Sequence, residues 1–291
     1  MASKGRRARR RRRGRGLLLL LVLAVVCALF LYDQQNRIQT ETLEAPSDRL
    51  PAAFDGFRVV QISDLHGKEF GEDNKTLVER VAELEPDLIA ITGDLVDDPE
   101  QLSLIPPLGR ALAAIAPTYY VTGNHEWAIK EARTVKGLLE ESGVIPLTND
   151  YVKLERDGEI MVVAGIDDPN GPYDQKTPEE LMEEIRAELG DPYILLLAHR
   201  NEYYETYARC GADLILCGHV HGGLIRLPFT DGLIDNTRRR FFPTYTAGLY
   251  PLEGRAVLMV SRGLGNGTGV PRIFNRPHLP VIVLRTAAAG E

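Results

Sequence analysis

The chain has 291 residues, of which 44% are hydrophobic and 26% charged, so it can form one globular domain with a substantial core. Its formal net charge of −7 is unevenly distributed, because residues 1–16 contain nine Lys and Arg side chains and no acid. The other residues hold 25 basic and 41 acidic side chains, a net charge of −16. Since nucleic-acid binding needs Lys and Arg against the phosphates, no nucleic-acid partner is expected for so acidic a body.

An uninterrupted apolar segment follows the basic tail at residues 17–32. As a helix it would be about 24 Å long, slightly less than the hydrocarbon core of a bilayer, and snorkelling of Arg15 can make up the difference. Basic residues concentrate on the cytoplasmic side of membrane spans. We therefore predict a cytoplasmic tail at 1–16, a single-pass transmembrane signal anchor at 17–32, and an extracytoplasmic remainder attached to the cell membrane.

Three other interpretations of this N-terminus stay open. A cleaved signal peptide has the same basic and apolar regions, although no good small-residue cleavage site follows Leu31. A twin-arginine export signal also fits the arginine tract. The tract could instead bind nucleic acid or anionic lipid in the cytoplasm, which the adjoining membrane-length segment disfavours.

Residues 33–51 are polar, contain Pro46 and Pro51, and are interpreted as a linker with room for an edge strand near 38–43, before a domain at 52–286. The domain alternates β-rich segments with longer segments of helical periodicity, which predicts an α/β fold. The predicted strands are 57–63, 87–92, 118–122, 160–166, 193–198, 213–217 and 256–261. The predicted helices are 74–84, 99–115, 127–142, 177–189 and 202–209.

Three shorter features have local interpretations. Asp157-Gly158 is a turn signal and predicts a β-hairpin. Three cysteines are too few for a disulfide framework, and Cys210 and Cys217, beside a predicted strand, are interpreted as buried free thiols. The glycine-rich residues 263–269 are interpreted as a mobile loop rather than a phosphate-binding nest.

Polar motifs follow the predicted strands, and five of the six histidines lie in them. The motifs are Asp64-Leu-His66, Gly93-Asp94-Leu-Val-Asp97, Gly123-Asn124-His125-Glu126, Ala198-His199 and Gly218-His219-Val-His221. Asp64, Asp94 and Asn124 are thirty residues apart, the length of one βαβ unit, so they are expected at the carboxyl ends of neighbouring parallel strands. Open α/β sheets have their ligand sites along that edge.

Side chains of these types can hold metal ions, since imidazole nitrogens and carboxylate oxygens suit Zn, Mn and Fe. Asp64 and His66, like His219 and His221, are two residues apart, so on extended segments both members of a pair point the same way. Asp94 has two carboxylate oxygens and can bridge two divalent or trivalent ions, which would activate a water for attack on phosphorus. The predicted ligands are Asp64, His66, Asp94, Asn124, His199, His219 and His221.

The five motifs together resemble the signature of the calcineurin-like metallophosphoesterase superfamily over residues 57–225. The residues around them resemble the bacterial branch that carries an N-terminal membrane anchor or export signal. The resemblance implies a four-layer αββα sandwich, here preceded by one transmembrane helix, with a dinuclear metal centre. By position it implies the following roles: Asp64, His66 and His221 on one ion, Asn124, His199 and His219 on the other, Asp94 between them, and His125 as a non-ligand acid oriented by Asp97.

These inferences predict a metal-dependent phosphoric ester hydrolase that acts at the cell envelope on a phosphodiester or pyrophosphate. The branch implies two substrate classes, a lipid-linked sugar nucleotide such as UDP-2,3-diacylglucosamine and an envelope-derived polymer phosphodiester. A rival hypothesis is a non-catalytic, metal-bound interaction module, which the complete ligand set disfavours. Candidate phosphate-binding residues are Arg200, Arg226, Arg262 and the triplet 238–240, of which the triplet is more simply a solvated charge cluster.

Overall fold

Two sheets of six strands each, packed face to face, form the centre of the fold. The computed structural model describes residues 2–172, 175–227, 231–234 and 241–287. In these residues the strands are β1 Gln39–Ser47, β2 Arg58–Ile62, β3 Leu88–Thr92, β4 Thr118–Val121, β5 Ile145–Pro146, β6 Asp150–Arg156, β7 Glu159–Gly165, β8 Tyr193–Arg200, β9 Leu214–Gly218, β10 Gly248–Pro251, β11 Val257–Val260 and β12 His278–Thr286. The helices are α1 Ala2–Asn36, α2 Lys75–Glu83, α3 Ile105–Ala113, α4 Asn124–Ala128, α5 Ala132–Glu141, α6 Pro178–Leu189 and α7 Tyr204–Arg209.

Most neighbouring strands within each sheet run parallel. The first sheet has the order β1-β12-β2-β3-β4-β5, in which β2 to β5 are parallel and β12 is antiparallel to β2. The second sheet has the order β10-β11-β9-β8-β7-β6, in which β7, β8, β9 and β11 are parallel. The carboxyl ends of the parallel strands in a sheet therefore share one edge, where the loops that follow them can combine their side chains.

Apolar side chains form three buried layers. Between the sheets, Val59 and Leu88 of the first sheet belong to one cluster with Leu195 and Leu214 of the second. Helices α2, α3 and α5 cover the outer face of the first sheet, and α6 and α7 cover the outer face of the second. This order of layers, helix–sheet–sheet–helix, confirms the predicted αββα sandwich.

Helix α6 shows how the local sequence specifies an element. The Thr177 hydroxyl accepts a hydrogen bond from the backbone N–H of Glu180, and the Glu180 carboxylate accepts one from the N–H of Thr177, which satisfies two free donors at the start of the helix. Leu181 and Ile185 are four residues apart, share one face and are fully buried, which stabilises the helix by about 2 kcal/mol each. The helix ends at Gly190, whose φ of 79° favours glycine.

Two predicted helices are interrupted. The segment 99–115 begins as a 3₁₀-helix at Pro99–Leu104 and becomes α3 only at Ile105, because prolines 106 and 107 lack the N–H that an α-helix interior needs and fit only its first turn. The segment 127–142 starts within α4 and resumes as α5 after Lys130, whose φ is 63°. The predicted strands all form, and the hairpin of β6 and β7 turns at Asp157-Gly158 as expected.

Strands β1 and β12 pair along their whole length, whereas the sequence predicted only part of β1. Residues 39–47 form β1, of which 39–43 coincide with the edge strand predicted in the linker and 44–47 extend it; β1 runs parallel to β12 from Gln39 opposite His278 to Ser47 opposite Thr286. Because β12 also pairs with β2, the C-terminal strand attaches the segment that follows α1 to the first sheet.

Helix α1 begins the chain and extends beyond the apolar segment in both directions. Its residues Gly14–Asn36 are long and apolar enough to cross a membrane, by length and composition, and their apolar side chains are exposed. The end of α1, at Asn36, is followed almost directly by β1.

Candidate metal centre

The predicted ligands meet at the edge where the parallel strands end. They lie at the ends of five strands: Asp64 and His66 after β2, Asp94 after β3, Asn124 after β4, His199 at the end of β8, and His219 and His221 after β9. The thirty-residue spacing thus corresponds to three neighbouring strands of the first sheet, and the second sheet supplies the other three histidines.

The backbone of these motifs is not extended. Left-handed conformations, with φ between 48° and 75°, occur at Asp64, His66, Asp94, His219 and His221. Such residues are uncommon outside glycine, cost on the order of 1–3 kcal/mol each, and concentrate at functional sites. The extended interpretation of the paired motifs is therefore wrong, because both members of each pair have a left-handed backbone. Backbone hydrogen bonds from Asp64 N to the Gly93 carbonyl and from His66 N to the Asp94 carbonyl support this conformation, at 3.0 and 2.9 Å.

We call Asp64, His66 and His221 the first ligand group. All three side chains are buried, and their ligand atoms lie within 4.8 Å of one another. Nε2 of His221 lies 3.2 Å from Nε2 of His66 and 3.7 Å from Oδ1 of Asp64. The Asp64 carboxylate also accepts hydrogen bonds from the backbone N–H of His219 at 2.9 Å and from the Ser63 hydroxyl at 2.5 Å. These two bonds hold the carboxylate in place.

The second ligand group consists of Asp94, Asn124, His199 and His219. Its centre is Nε2 of His199, which lies 3.1 Å from Oδ2 of Asp94, 3.1 Å from Nδ1 of His219 and 3.2 Å from Oδ1 of Asn124. Asp94, His199 and His219 are buried and have ligand atoms within 4.8 Å of one another. Four different strands therefore place nitrogen and oxygen atoms around one point.

Asp94 lies between the two groups. Its Oδ2 is 3.1 Å from Nε2 of His199 in the second group and 3.9 Å from Nε2 of His66 in the first. Its Oδ1 accepts a hydrogen bond from the backbone N–H of His125 at 2.9 Å. Burial alone would raise the pKa of this carboxyl, but the charge and hydrogen bond of His199 outweigh it, so the pKa of Asp94 lies well below its usual value. The carboxylate is thus ionised and can contact cations on both sides.

The donor set fits metal ions because the outward nitrogens of two histidines are already engaged. Nδ1 of His199 donates to the Thr92 carbonyl at 2.8 Å, and Nδ1 of His66 donates to Oδ1 of Asp97 at 2.5 Å. Each Nε2 therefore faces its ligand group, and it is the nitrogen that would give up its proton and offer a lone pair to a bound metal ion. Buried lone pairs and carboxylates that converge in this way are stabilised by a cation.

Asp97 contacts two histidines with one oxygen. Its Oδ1 lies 2.5 Å from Nδ1 of His66 and 2.7 Å from Nδ1 of His125. The hydrogen bond that Nδ1 of His125 donates to Asp97 is the main reason that the pKa of His125 rises to about 8. His125 directs Nε2 toward the centre, 3.9 Å from Oδ2 of Asp94. Asp97 therefore supports a predicted ligand as well as the histidine that it was expected to orient.

Glu126 had no role in the sequence analysis, although its motif was noted. It is fully buried, and its carboxylate accepts hydrogen bonds from the backbone N–H groups of Asp94, Leu95 and Gly123 at 3.2, 2.6 and 2.8 Å. Glu126 therefore ties the loop after β3 to the start of α4. The signal that could have found it is its position three residues after Gly123, the spacing of a capping-box glutamate.

The candidate phosphate-binding arginines differ in availability. Arg200 donates two hydrogen bonds to the Asp168 carboxylate, at 2.6 and 3.3 Å, and Arg226 donates to the Gly222 carbonyl and the Thr246 hydroxyl. Arg262 is buried; its Nη1 lies 3.4 Å from Glu41, and its Nε and Nη2 have no partner. The triplet 238–240 lies outside the described residues.

The glycine-rich segment packs against the first ligand group. The N–H of Leu264 donates to the Ser63 carbonyl at 3.0 Å and that of Gly265 to the Asp64 carbonyl at 2.6 Å. A side chain on Gly265 would meet the Leu65 carbonyl oxygen at 1.9 Å, so only glycine permits this approach. The mobile-loop interpretation is therefore wrong for this part of the segment, because its backbone is hydrogen-bonded to the backbone of Ser63 and Asp64.

The buried side chain of Arg272 holds the glycine-rich segment in place through hydrogen bonds. The guanidinium of Arg272 donates hydrogen bonds to the carbonyls of Arg262, Gly263, Gly265 and Asn275, at 2.5 to 3.2 Å. Burial lowers its pKa to about 10, which still leaves it charged at neutral pH.

Arg272→Met is expected to lower the free energy of unfolding by about 3 kcal/mol, because it leaves several buried carbonyl oxygens without a donor. Thermal unfolding of the full chain in detergent measures the effect. The matched control is Arg285→Met, which removes an exposed ion pair with Glu44 and should change stability by less than about 1 kcal/mol. Equal unfolding midpoints for the two variants would show that Arg272 does not fasten the segment.

An αββα sandwich with two histidine–carboxylate groups at the ends of its strands has the architecture of a hydrolase of phosphate esters. The sequence model of the calcineurin-like phosphoesterase family matches residues 57–223, more than half of the chain. The chain therefore belongs to the calcineurin-like phosphoesterase family.

Individual relatives extend the similarity beyond this region. YkuE of Bacillus subtilis (strain 168), an uncharacterized metallophosphoesterase, is 30% identical over 263 residues, which cover 88% of each chain. A transmembrane protein with metallophosphoesterase domain from Danio rerio is 30% identical over 90% of this chain and 62% of its own longer sequence. A solved dimetal phosphatase from Danio rerio has a TM-score of 0.46 and 11% identity, covering 72% of this chain and 88% of that protein.

Family membership decides the coarse function. The chain is a phosphoesterase of a metal-dependent family, so its substrates are phosphoesters and its buried histidine–aspartate groups are candidate metal sites. Helix α1, and the name of the transmembrane protein from Danio rerio to which the chain is similar, suggest membrane anchoring.

Proposed function

We propose that this protein hydrolyses a phosphodiester or pyrophosphate at the cell envelope, with two metal ions as its cofactor. The observation that carries the proposal is the position of one Asp94 oxygen between two buried groups of ligand atoms. The first ligand group would hold one ion, Asn124, His199 and His219 would hold the other, and Asp94 would contact both. Imidazole nitrogens and carboxylate oxygens fit Mn, Zn or Fe.

When bound, two such ions would lower the pKa of a water and would stabilise the charge on the oxygens around the phosphorus. The chain itself places two buried carboxylates, Asp64 and Asp94, at the centre. Without cations these carboxylates would repel a phosphoester, so the ions are needed for substrate binding as well as for reaction. This electrostatic argument favours an enzyme over a non-catalytic module that binds metal only for stability.

His125 is suited to protonate the leaving oxygen. Its Nδ1 is held by Asp97, so the proton available for transfer is the one on Nε2, which faces the centre. With a pKa of about 8, the imidazole is mostly protonated at neutral pH. We assign His125 the role of general acid and Asp97 that of positioning it.

The state of the arginines favours a singly charged phosphodiester over a phosphomonoester. Among the described residues, Arg200 and Arg226 are engaged by other protein groups, and the two unpartnered nitrogens of Arg262 are buried. A monoester carries an additional negative charge that these guanidinium groups, as they stand, do not neutralise. A diester requires less compensation beyond the two ions.

The N-terminal sequence supports an activity at the membrane. The basic tail at 1–16 favours a cytoplasmic N-terminus, and α1 is long enough to cross the bilayer, so the domain would lie on the outer side.

The function is tested on the full chain in detergent, stripped of metal with a chelator and then supplied with Mn, Zn or Fe. We expect hydrolysis of methyl 4-nitrophenyl phosphate, a diester, to stop after chelation and to return with at least one ion, and 4-nitrophenyl phosphate, a monoester, to react more slowly. A mock-dialysed sample is the control. Turnover by metal-free protein would contradict the metal requirement, and metal binding without turnover of either ester would favour the non-catalytic rival.

A further inference from the structure

Exposed apolar side chains outside α1 concentrate beside the metal centre. In the described residues, eight large ones are exposed, and five of these lie in two loops: Leu227, Phe241, Phe242, Val270 and Phe274. We call the described residues 224–227, 231–234 and 241–246, together with 264–276, the mouth loops. The surface of a soluble protein rarely has so many exposed apolar side chains in one region unless a partner or a membrane covers them.

The mouth loops are bonded to each other and to the first ligand group. The N–H of Arg226 donates to the Ile273 carbonyl at 3.0 Å, which joins the two loops. The side chain of Asn275, next to Phe274, donates to the His221 carbonyl at 2.7 Å and to the Leu224 carbonyl at 2.8 Å. The exposed Phe274 is therefore adjacent in sequence to a residue that is hydrogen-bonded to the backbone of His221, a predicted metal ligand.

The C-terminal end of α1 is attached to the same place. The rings of Phe30 and Phe274 are in edge-to-face contact, with centroids 5.2 Å apart. Oε1 of Gln34 accepts a hydrogen bond from the N–H of Asn275 at 3.0 Å, and Gln35 donates to the Arg272 carbonyl at 3.3 Å. Further contacts at this junction are an ion pair of Arg276 with Asp33 and a hydrogen bond from Lys68, just after His66, to the Gln35 carbonyl.

If α1 crosses a membrane, these contacts determine how far the metal centre lies from the membrane surface. Phe30 lies inside the apolar segment 17–32, and Asp33 is the first polar residue after it. At 1.5 Å per residue, Phe30 is about 4.5 Å from Asp33 along the helix axis. If α1 crosses the bilayer, Phe274 lies at the boundary between acyl chains and headgroups, and the residues that hold His221 lie just outside it.

We propose that the metal centre opens onto the membrane surface, that the exposed side chains of the mouth loops insert among the headgroups, and that the substrate is a phosphoester carried by a membrane lipid. The proposal rests on the proposed phosphoesterase function and on α1 as a membrane span. The bilayer is preferred to a second protein as the occupant, because the apolar surface is continuous with α1 through the contact of Phe30 and Phe274. Phenylalanine and leucine side chains are also typical of protein surfaces that insert into the membrane interface.

Hydrolysis of such a lipid needs no co-reactant other than water. A water oxygen forms the new bond to phosphorus, and the ester bond between phosphorus and the leaving oxygen breaks. The attacking water loses a proton to solvent, and the leaving oxygen gains one from Nε2 of His125, which is then reprotonated from solvent. A lipid on one side of the phosphorus is thereby separated from the group on the other, without any redox change.

The position of the mouth loops is tested with tryptophan variants of the full chain in vesicles of phosphatidylethanolamine and phosphatidylglycerol. Phe274→Trp and Phe242→Trp place the probe in the two loops. The matched control is Ile160→Trp, an exposed site in β7 at the opposite end from the strand edge that carries the ligands. Lipids brominated near the headgroup should quench the added fluorescence of both loop variants and not that of the control. Equal quenching in all three variants, or none in either loop variant, would overturn the proposal.

The substrate class is tested with two esters that share a leaving group, methyl 4-nitrophenyl phosphate in solution and a diacylglyceryl 4-nitrophenyl phosphate in the same vesicles. The double variant Phe241→Ser/Phe242→Ser should lose about tenfold in kcat/KM on the lipid ester while changing less than about twofold on the soluble one, because membrane affinity scales with the apolar area inserted. Ile160→Ser should change neither. If the wild type hydrolyses the soluble ester and the double variant loses equally on both, the lipid proposal fails and the phosphoesterase proposal stands. If the wild type hydrolyses neither ester, the phosphoesterase proposal fails, and the lipid proposal fails with it.

Discussion

Asp94→Asn is expected to reduce turnover of a phosphodiester by about a thousandfold or more and to lower the bound metal. The asparagine keeps the size of the side chain but removes the negative charge that lies between the two ligand groups, 3.1 Å from His199 and 3.9 Å from His66. Loss of a carboxylate placed between both ligand groups would weaken the binding of an ion in either group, and a thousandfold loss of turnover corresponds to about 4 kcal/mol in the transition state. Turnover of methyl 4-nitrophenyl phosphate and metal content per chain measure the two effects.

The same loop offers a matched control. Asp98→Asn makes the same chemical change four residues later, at an exposed position whose side chain accepts a hydrogen bond from the N–H of Glu100. Asparagine caps a helix as well as aspartate does, so this variant should keep its turnover, metal content and stability. Metal content and turnover of Asp94→Asn equal to those of Asp98→Asn would show that Asp94 does not bridge the two groups.

His125→Gln is expected to lower kcat by about a hundred- to ten-thousandfold while leaving metal content near that of the wild type. Glutamine cannot supply the proton that His125 carries on Nε2, and His125 belongs to neither ligand group. The loss should be larger for an ester with an alkyl alcohol as leaving group than for a 4-nitrophenyl ester, because a more basic leaving oxygen depends more on protonation. An equal loss on both esters, or loss of the metal, would contradict the assignment of His125 as the acid.

Asp97→Asn separates positioning from proton transfer. Asp97 holds both His125 and His66, so its replacement should reduce kcat and also weaken metal binding in the first ligand group. Joint loss of turnover and metal in Asp97→Asn, beside loss of turnover alone in His125→Gln, is the pattern that the shared oxygen predicts.

Much of the fold follows from local patterns in the sequence. Buried strands such as β3 and β8 are short apolar segments, and helices such as α6 carry both a capping signal and a helical repeat of buried residues. The equal spacing of Asp64, Asp94 and Asn124 indicates one edge of one sheet, because a βαβ unit has a typical length. These features depend on residues close together in the chain, and the family resemblance of the five motifs adds the αββα layers.

Other features depend on contacts that local patterns do not encode. The left-handed backbone at Asp64 and His66 is strained, so no propensity predicts it, and it persists because the neighbouring loops hold it. The carboxylate of Glu126 contacts backbone groups more than thirty residues away, and a buried glutamate is uncommon enough that composition argues against it. The paired strands β1 and β12 join segments from opposite ends of the chain.

The sequence by itself determined the class of chemistry, the order of strands and helices along most of the domain, and a helix able to cross a membrane, because residue type, spacing and periodicity are local properties. Only the tertiary structure decided which atoms of the ligands converge, that Asp97 serves two histidines, and that the end of α1 is bonded to the loops beside His221. The residues concerned are far apart in the sequence: Asp97 and His125 are separated by 28 positions, and Gln34 and Asn275 by 241. Packing of the two sheets and α1, rather than any local preference, brings such residues together.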